Sequence, residues 1–197
     1  TPADYVNPII GATTFDEFKR SVHGLGKSFP GVCTPFGLVQ LSPDTKTGGD
    51  NGSGYSWHHK TIEGFSFTHM SGVGWYGDLG NFLVMPTIGD LKTFKGTEEN
   101  PEEGYRSRYS HDREQATAHK YTVMLDDYQI KAELASAPRS GMIRFTYPKS
   151  EVSRIQIDLA RRIGGTSTEQ YVEVVDDYTI KGWMKCTPET GGWGDGD

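Results

Sequence analysis

The residues best able to carry chemistry lie in one stretch, residues 44–81, which is rich in aromatic, acidic, amide and histidine side chains. Trp57 and Trp75 stand there among Asp, Asn and His residues. A flat aromatic ring packs on the C–H face of a pyranose, while carboxylates and amides bind its hydroxyl groups. The stretch is therefore typical of a sugar site, although the same rings would also suit core or loop packing.

The same stretch offers metal ligands in a weaker pattern. His58, His59 and His69 lack the i, i+4 spacing of a helical zinc pair, and no cysteine lies near them. Residues 44–53 offer oxygen ligands, which calcium prefers, but they lack the Asp-x-Asp-x-Asp-Gly order and the closing Glu of a calcium loop. A hydrogen-bonded turn is the favoured interpretation. His69 lies at the end of a predicted strand, next to a Gly-rich loop. This position suits a site residue, and it equally suits a histidine whose ring is hydrogen-bonded at the sheet edge.

Strands must position these side chains, and the second half of the chain predicts two β-hairpins. Apolar and polar residues alternate on both sides of a short Asp-Asp turn, which is a hairpin pattern. The paired segments are 119–126 with 128–134 around Asp126-Asp127, and 171–175 with 178–184 around Asp176-Asp177.

Further strands are predicted elsewhere, and the pattern favours an all-β fold. These segments are 37–41, 65–70, 82–88, 141–147 and 153–159. Only residues 15–22 have a short helical pattern, and no helix-length amphipathic segment is present. Strands with one polar face form antiparallel sheets, so the sequence predicts an antiparallel β-sandwich.

Length and charge exclude several classes of protein. The chain has 197 residues, which is the size of one domain or of part of a larger protein. It has no apolar run of about 18 residues, so no membrane-spanning helix is expected. The net charge is −6 and the basic residues are interspersed, so the sequence lacks the clustered Lys and Arg that bind nucleic-acid phosphates. Cys33 and Cys186 are too few for a disulfide framework or a four-thiolate zinc site. Buried thiols are expected, and a pairing of the two is the alternative left open.

The two ends of the chain suggest a fragment. The first residue is Thr1, without a preceding Met or apolar leader, and residues 190–197 are rich in Gly and Asp with no cap or strand pattern. A removed signal peptide or trimming would explain the start. We expect the sequence to be part of a longer protein.

Several short motifs occur in one order along nearly the whole chain. They are residues 5–11 (YVNPIIG), 28–31 (SFPG), 35–44 (PFGLVQLSPD), 54–55 (GY), 61–72 (TIEGFSFTHMSG), 78–80 (DLG) and 85–86 (MP). Together these motifs resemble the N-terminal part of glycoside hydrolase family 92, the calcium-dependent exo-acting α-mannosidases of bacteria.

The resemblance implies an enzyme of two domains with the active site between them. Residues 1–197 would form the N-terminal β-sandwich, of the galactose-mutarotase-like type and not necessarily complete here, and a C-terminal α-helical toroid would be absent from this chain. Such enzymes invert configuration, with one carboxylic acid and one carboxylate base flanking the scissile bond. In the family both carboxylates and most calcium ligands belong to the helical domain. We therefore expect no catalytic residue and assign no metal ligand in this chain.

The expected role of this chain is substrate contact from the sandwich side. The residues predicted to line the cleft are Asp50, Asn51, Trp57, His69 and Asp78. The resemblance further implies a mannose-containing glycan as substrate, the C-terminal helical domain of the same protein as partner, calcium as cofactor, and an extracytoplasmic location.

Two departures from the family pattern leave the preferred linkage open. Residues 48–51 (GGDN) replace a Trp that many members carry there, and residues 23–27 (HGLGK) replace a His-Gly-His motif. Two other hypotheses stay open beside the enzyme: a carbohydrate-binding sandwich that cleaves nothing, and a sandwich that serves as a scaffold for a partner domain.

Overall fold

A computed structural model describes residues 1–13, 27–45, 53–71, 79–163 and 165–186. Within these ranges the regular structure is antiparallel β-sheet and three single-turn 3₁₀ helices, Pro2–Tyr5, Pro101–Glu103 and His111–Arg113. The predicted all-β fold is confirmed for this part of the chain. The predicted helical segment 15–22 lies outside the described residues.

A five-stranded sheet forms one layer of the fold, with the strand order β1-β2-β4-β5-β11. Its strands are β1 (Val32–Cys33), β2 (Gln40–Asp44), β4 (Gly64–Ser66), β5 (Leu83–Ile88) and β11 (Ser153–Asp158). Strand β4 is shorter than the predicted segment 65–70, because the chain turns after Ser66 and brings His69 back towards β2.

A four-stranded sheet with the order β10-β9-β8-β7 forms the second layer. Its strands are β7 (Glu114–Ala116), β8 (Tyr121–Leu125), β9 (Ile130–Ala137) and β10 (Ser140–Thr146). Leu125 pairs with Ile130, so the predicted hairpin around Asp126-Asp127 is confirmed. The alternating sequence of β8 turns every second side chain into the core, as a half-buried strand requires.

The second predicted hairpin is also confirmed. Strands β13 (Gly165–Asp176) and β14 (Thr179–Cys186) pair around Asp176-Asp177 and, with β12 (Arg161–Arg162), form a three-stranded sheet. Two short strands, β3 (Thr61–Ile62) and β6 (Ser107–Arg108), pair separately.

The hydrophobic core lies between the five-stranded and four-stranded sheets. Leu41 and Phe65 of the first sheet and Tyr121 and Ile130 of the second are fully buried members of one cluster. The rings of Phe65 and Phe145 lie 5.9 Å apart across the interface. Inward side chains from two facing antiparallel sheets are the core of a β-sandwich, which confirms the predicted architecture.

The expectation of buried thiols is wrong for Cys33, which is an exposed free cysteine. Strand β1 is a two-residue edge strand, and Val32 occupies its buried side. Because successive side chains of a strand point to opposite faces, Cys33 points outwards. The side chain of Cys186 lies outside the described residues.

Candidate functional site

The five residues predicted to line a sugar cleft are only partly described by the structure. Asp50, Asn51 and Asp78 lie outside the described residues. Trp57 and His69 are described, and they occupy different surroundings. His69 is buried at 3% exposure, whereas Trp57 is 39% exposed.

His69 is fixed from both sides of its ring. Its Nδ1 lies 2.8 Å from the backbone carbonyl of Gln40, and its Nε2 lies 3.0 Å from Oδ1 of Asp44. Both ring nitrogens therefore have protein partners, and the side chain has no accessible surface. His69 is therefore buried and bonded within the sandwich.

Asp44, the last residue of β2, receives hydrogen bonds on both carboxylate oxygens. Ser66 Oγ donates to Oδ2 at 2.6 Å, and His69 faces Oδ1. Burial alone would raise the pKa of Asp44, but Arg161, whose Nη1 lies 3.5 Å from Oδ1, and His69 hold that pKa below its ordinary value. The carboxylate of Asp44 is therefore paired within the protein. The turn expected over residues 44–53 lies mostly outside the described residues.

The pair of Asp44 and His69 belongs to a larger buried ion cluster, which also contains Glu63, Arg106 and Arg161. Glu63 lies between the two guanidinium groups, with Oε1 2.5 Å from Arg106 Nη2 and Oε2 3.2 Å from Arg161 Nη2. All five side chains are at most 6% exposed. Charged groups are seldom buried unless they are paired, and here they alternate in sign.

The ion cluster is tied to the backbone beside the two segments that carry the undescribed site residues. Arg106 Nη2 donates to the carbonyl of Thr45 at 3.3 Å, just before residues 46–52. Arg161 Nη1 donates to the carbonyl of Gly80 at 3.2 Å, just after residues 72–78. The cluster therefore fixes the chain at the borders of both segments.

Gly54 occupies a place that no larger residue fits. Its φ is +66°, and a Cβ there would lie 2.4 Å from Oδ1 of Asp44 and 3.0 Å from Nε2 of His69. The glycine is needed both for its backbone conformation and for the close approach of the ion cluster.

Trp57 belongs to a second group of aromatic and acidic residues. Its indole stacks on the ring of His111 with centroids 3.4 Å apart and planes 6° from parallel. His111 Nε2 lies 2.7 Å from the backbone carbonyl of Trp57, and His111 Nδ1 lies 2.6 Å from Oε2 of Glu114. The stacked pair is therefore held at three points.

Glu114 is buried under this stacked pair, and two tyrosines complete its surroundings. The hydroxyl groups of Tyr55 and Tyr121 donate to Oε1 of Glu114 at 2.9 and 2.5 Å. Burial, with the neighbouring Tyr109 and Glu114, raises the pKa of Tyr55, and burial with Glu114 raises that of Tyr121. Both phenols therefore remain donors.

The sequence did not reveal the roles of Glu63, Arg106, Arg161, His111 and Glu114. Glu63 stands inside the quoted motif 61–72, but its partners lie 43 and 98 residues away along the chain. The alternation of apolar and polar residues in one sequence does not predict which distant residues will pair.

The profile of the Glycosyl hydrolase family 92 N-terminal domain matches residues 5–196. The chain belongs to glycosyl hydrolase family 92. The predicted resemblance is thus confirmed over nearly the entire sequence.

Solved structures of family 92 enzymes have the same fold. A family GH92 α-mannosidase from Bacteroides thetaiotaomicron, solved in complex with mannoimidazole, is 42% identical to this chain, covers 93% of it and has a TM-score of 0.83. The family GH92 inverting mannosidase from Bacteroides thetaiotaomicron VPI-5482 is 26% identical, covers 91% of it and has a TM-score of 0.69. The chain spans 23% and 22% of those two proteins.

A curated relative points to the same enzyme class. An uncharacterized secreted glycosidase from Arthroderma benhamiae is 27% identical over 136 residues, which are 68% of this chain and 17% of the relative. This family 92 chain therefore matches only a small part of each of these proteins.

Two features of the described residues concern metal ligands and membrane-spanning helices. In these ranges no three His, Cys, Asp or Glu side chains converge as a metal-ligand group. Within the same ranges, no helix is long and apolar enough to cross a membrane.

Proposed function

We propose that this chain is the N-terminal domain of an exo-acting, inverting α-mannosidase that removes terminal mannose from glycans. The observation that supports this proposal best is the similarity over almost the full chain to family 92 α-mannosidases, one of them in complex with mannoimidazole. A protein described as an inverting mannosidase has the same fold.

In this proposal the sandwich supplies contacts to the sugar rather than the acid and the base. Inverting hydrolysis needs two carboxyl groups about 6.5–9.5 Å apart, with the attacking water between them. We assign neither carboxyl group to this chain, and we expect both on a C-terminal helical domain. That domain would be the partner across the cleft, and it would also provide most of the calcium ligands.

Each predicted contact residue has a distinct role. Asp50, Asn51 and Asp78 would hydrogen-bond hydroxyl groups of the glycan, and Trp57 would pack on a sugar ring. His69 would act from beneath, because its ring is buried and bonded to Asp44. The ion cluster would hold the borders of the two segments that carry the polar contacts.

A location outside the cytoplasm suits a glycan-trimming enzyme. The Arthroderma relative is described as secreted. We extend that location to this protein as part of the proposal.

The test compares the 197-residue chain with the full-length gene product on an aryl α-mannoside, with and without calcium. We expect turnover only from the full-length protein, and we expect a chelator to abolish it. Turnover by the isolated chain would refute the proposal that the acid and the base lie outside it. A full-length protein that is folded but inactive on all α-mannosides would refute the proposed α-mannosidase activity.

A carbohydrate-binding module is the second candidate, and the half-exposed Trp57 beside a cavity favours it. Binding of mannosides by the full-length protein without any hydrolysis would support this candidate over the enzyme.

A further inference from the structure

A cavity of about 350 Å³ opens beside Trp57 on the surface of the sandwich. Its wall includes the indole of Trp57, the amides of Asn7 and Gln115, and the apolar side chain of Ile9. Ligand pockets in proteins have volumes of about 300–1,000 Å³, so this cavity has room for one small ring.

The indole that lines this cavity is unusually well fixed for a half-exposed side chain. His111 stacks on it and hydrogen-bonds the backbone carbonyl of the same residue. Tyr109 packs edge-on against His111, with centroids 5.3 Å apart and planes at 86°. Trp57 therefore needs little further ordering when a ligand binds, which favours affinity.

The chemistry of the wall indicates a neutral ligand. Glu114 already accepts from Tyr55, Tyr121 and His111, so its carboxylate is not available to a cation. His111 uses both ring nitrogens within the protein and cannot serve as an anion site. Oδ1 of Asn7 already accepts from the N–H of Ile9 at 3.0 Å. What remains for a ligand is Trp57, the amide of Gln115, the amide nitrogen of Asn7 and an aliphatic surface, which is the combination that recognises a pyranose ring.

We infer that this pocket binds a single neutral pyranose ring packed on Trp57, and that His111 is the residue that positions the indole. The inference rests on the proposed function in taking a sugar as the ligand. It adds a binding place and a positioning residue that lie apart from the buried ion cluster.

The test follows the indole Nε1–H signals of the ¹⁵N-labelled protein, full-length and as the 197-residue chain, during titration with methyl α-D-mannopyranoside. The Trp57 signal, assigned with Trp57→Phe, should shift and saturate with a Kd of about 1–10 mM. Trp183 is a matched control, because it is 43% exposed and also stacked on an aromatic ring, that of Tyr171. A Trp57 signal that does not move, or an equal shift of Trp183, would overturn the inference.

Two His111 variants test the positioning role. His111→Phe keeps a flat ring but loses both hydrogen bonds, and it should weaken mannoside binding about two- to tenfold. His111→Gln keeps hydrogen-bonding capacity without the stack and should broaden the free Trp57 signal. Unchanged affinity and line width in both folded variants would remove His111 from this role.

The outcomes separate this inference from the proposed function. Mannoside hydrolysis by the full-length protein with a silent Trp57 signal would refute the pocket and the sugar contact proposed for Trp57, and it would leave the enzyme in place. A saturating Trp57 shift in a protein that hydrolyses no mannoside would refute the enzyme and keep the pocket.

Discussion

Replacing Glu63 with Gln should destabilise the protein strongly, because Glu63 is the anion between two buried guanidinium groups. Its side chain is 3% exposed, and those of Arg106 and Arg161 are 6% and 5% exposed. Glutamine keeps the size of the side chain but removes the charge and replaces one acceptor oxygen with an NH₂ donor. The variant therefore tests the pairing of Glu63 with the two guanidinium groups without opening a cavity.

The expected loss follows from the burial of both partners. Removing one member of a buried ion pair costs about 3–5 kcal/mol, because the other charge stays buried without compensation. Total unfolding free energies are only about 5–15 kcal/mol, so the effect is large. With a urea m-value of about 2 kcal/mol/M, the unfolding midpoint should fall by about 1.5–2.5 M.

Glu102 provides a matched control for this experiment. It pairs with Arg108 at 2.6 Å, almost the distance of the Glu63–Arg106 pair, but the two side chains are 59% and 48% exposed. Water solvates both partners, so Glu102→Gln should leave the midpoint nearly unchanged. Urea unfolding followed by tryptophan fluorescence measures both variants. Equal unfolding midpoints for Glu63→Gln and Glu102→Gln would refute the claim that the buried ion cluster stabilises the fold more than an exposed ion pair does.

Three further predictions concern the same half of the sandwich. The pKa of Asp44 is lowered in the folded state, so its ionised form stabilises the protein at neutral pH. This contribution is lost as the pH falls below the ordinary Asp pKa of 3.8 and through the lower folded pKa. In acid unfolding experiments, the difference in unfolding free energy between wild type and Asp44→Asn should therefore shrink below pH 3.8. Gly54→Ala should lower the unfolding free energy more than Gly89→Ala. Both glycines have positive φ, which penalises alanine by about 1–2 kcal/mol, but of the two only Gly54 lacks space for a Cβ. Equal thermal unfolding temperatures for the two variants would contradict this. Cys33 should react with a thiol reagent in the native state without loss of stability, and protection from the reagent would contradict its exposure.

The β-sandwich was predictable because its information is local. The hairpins around Asp126-Asp127 and Asp176-Asp177 are encoded by alternation on both sides of a short turn, and such patterns need no knowledge of distant residues. The boundaries were less predictable. Strand β4 ends at Ser66 because His69 bonds to β2, and this is a tertiary contact.

The connections within the candidate site were not predictable from the sequence. The sugar site expected from the aromatic and polar composition of residues 44–81 stays a prediction, and of its residues Trp57 lines a cavity. The roles of His69 and Arg161 depend on partners 25 to 98 residues away along the chain, which one sequence does not reveal. The exposure of Cys33 was missed because a two-residue edge strand is too short to show a pattern.

The most direct test of the central claim, substrate contact from the sandwich side, is the kcat/KM of the full-length gene product on an aryl α-mannoside for Asp50→Asn and Asp78→Asn. Asp90→Asn, in an exposed loop, is the control. A hydrogen bond to a charged group is worth about 1.5–3 kcal/mol, so each site variant should lose at least about tenfold in kcat/KM while the control keeps its activity. Unchanged kcat/KM in both folded site variants would contradict the claim.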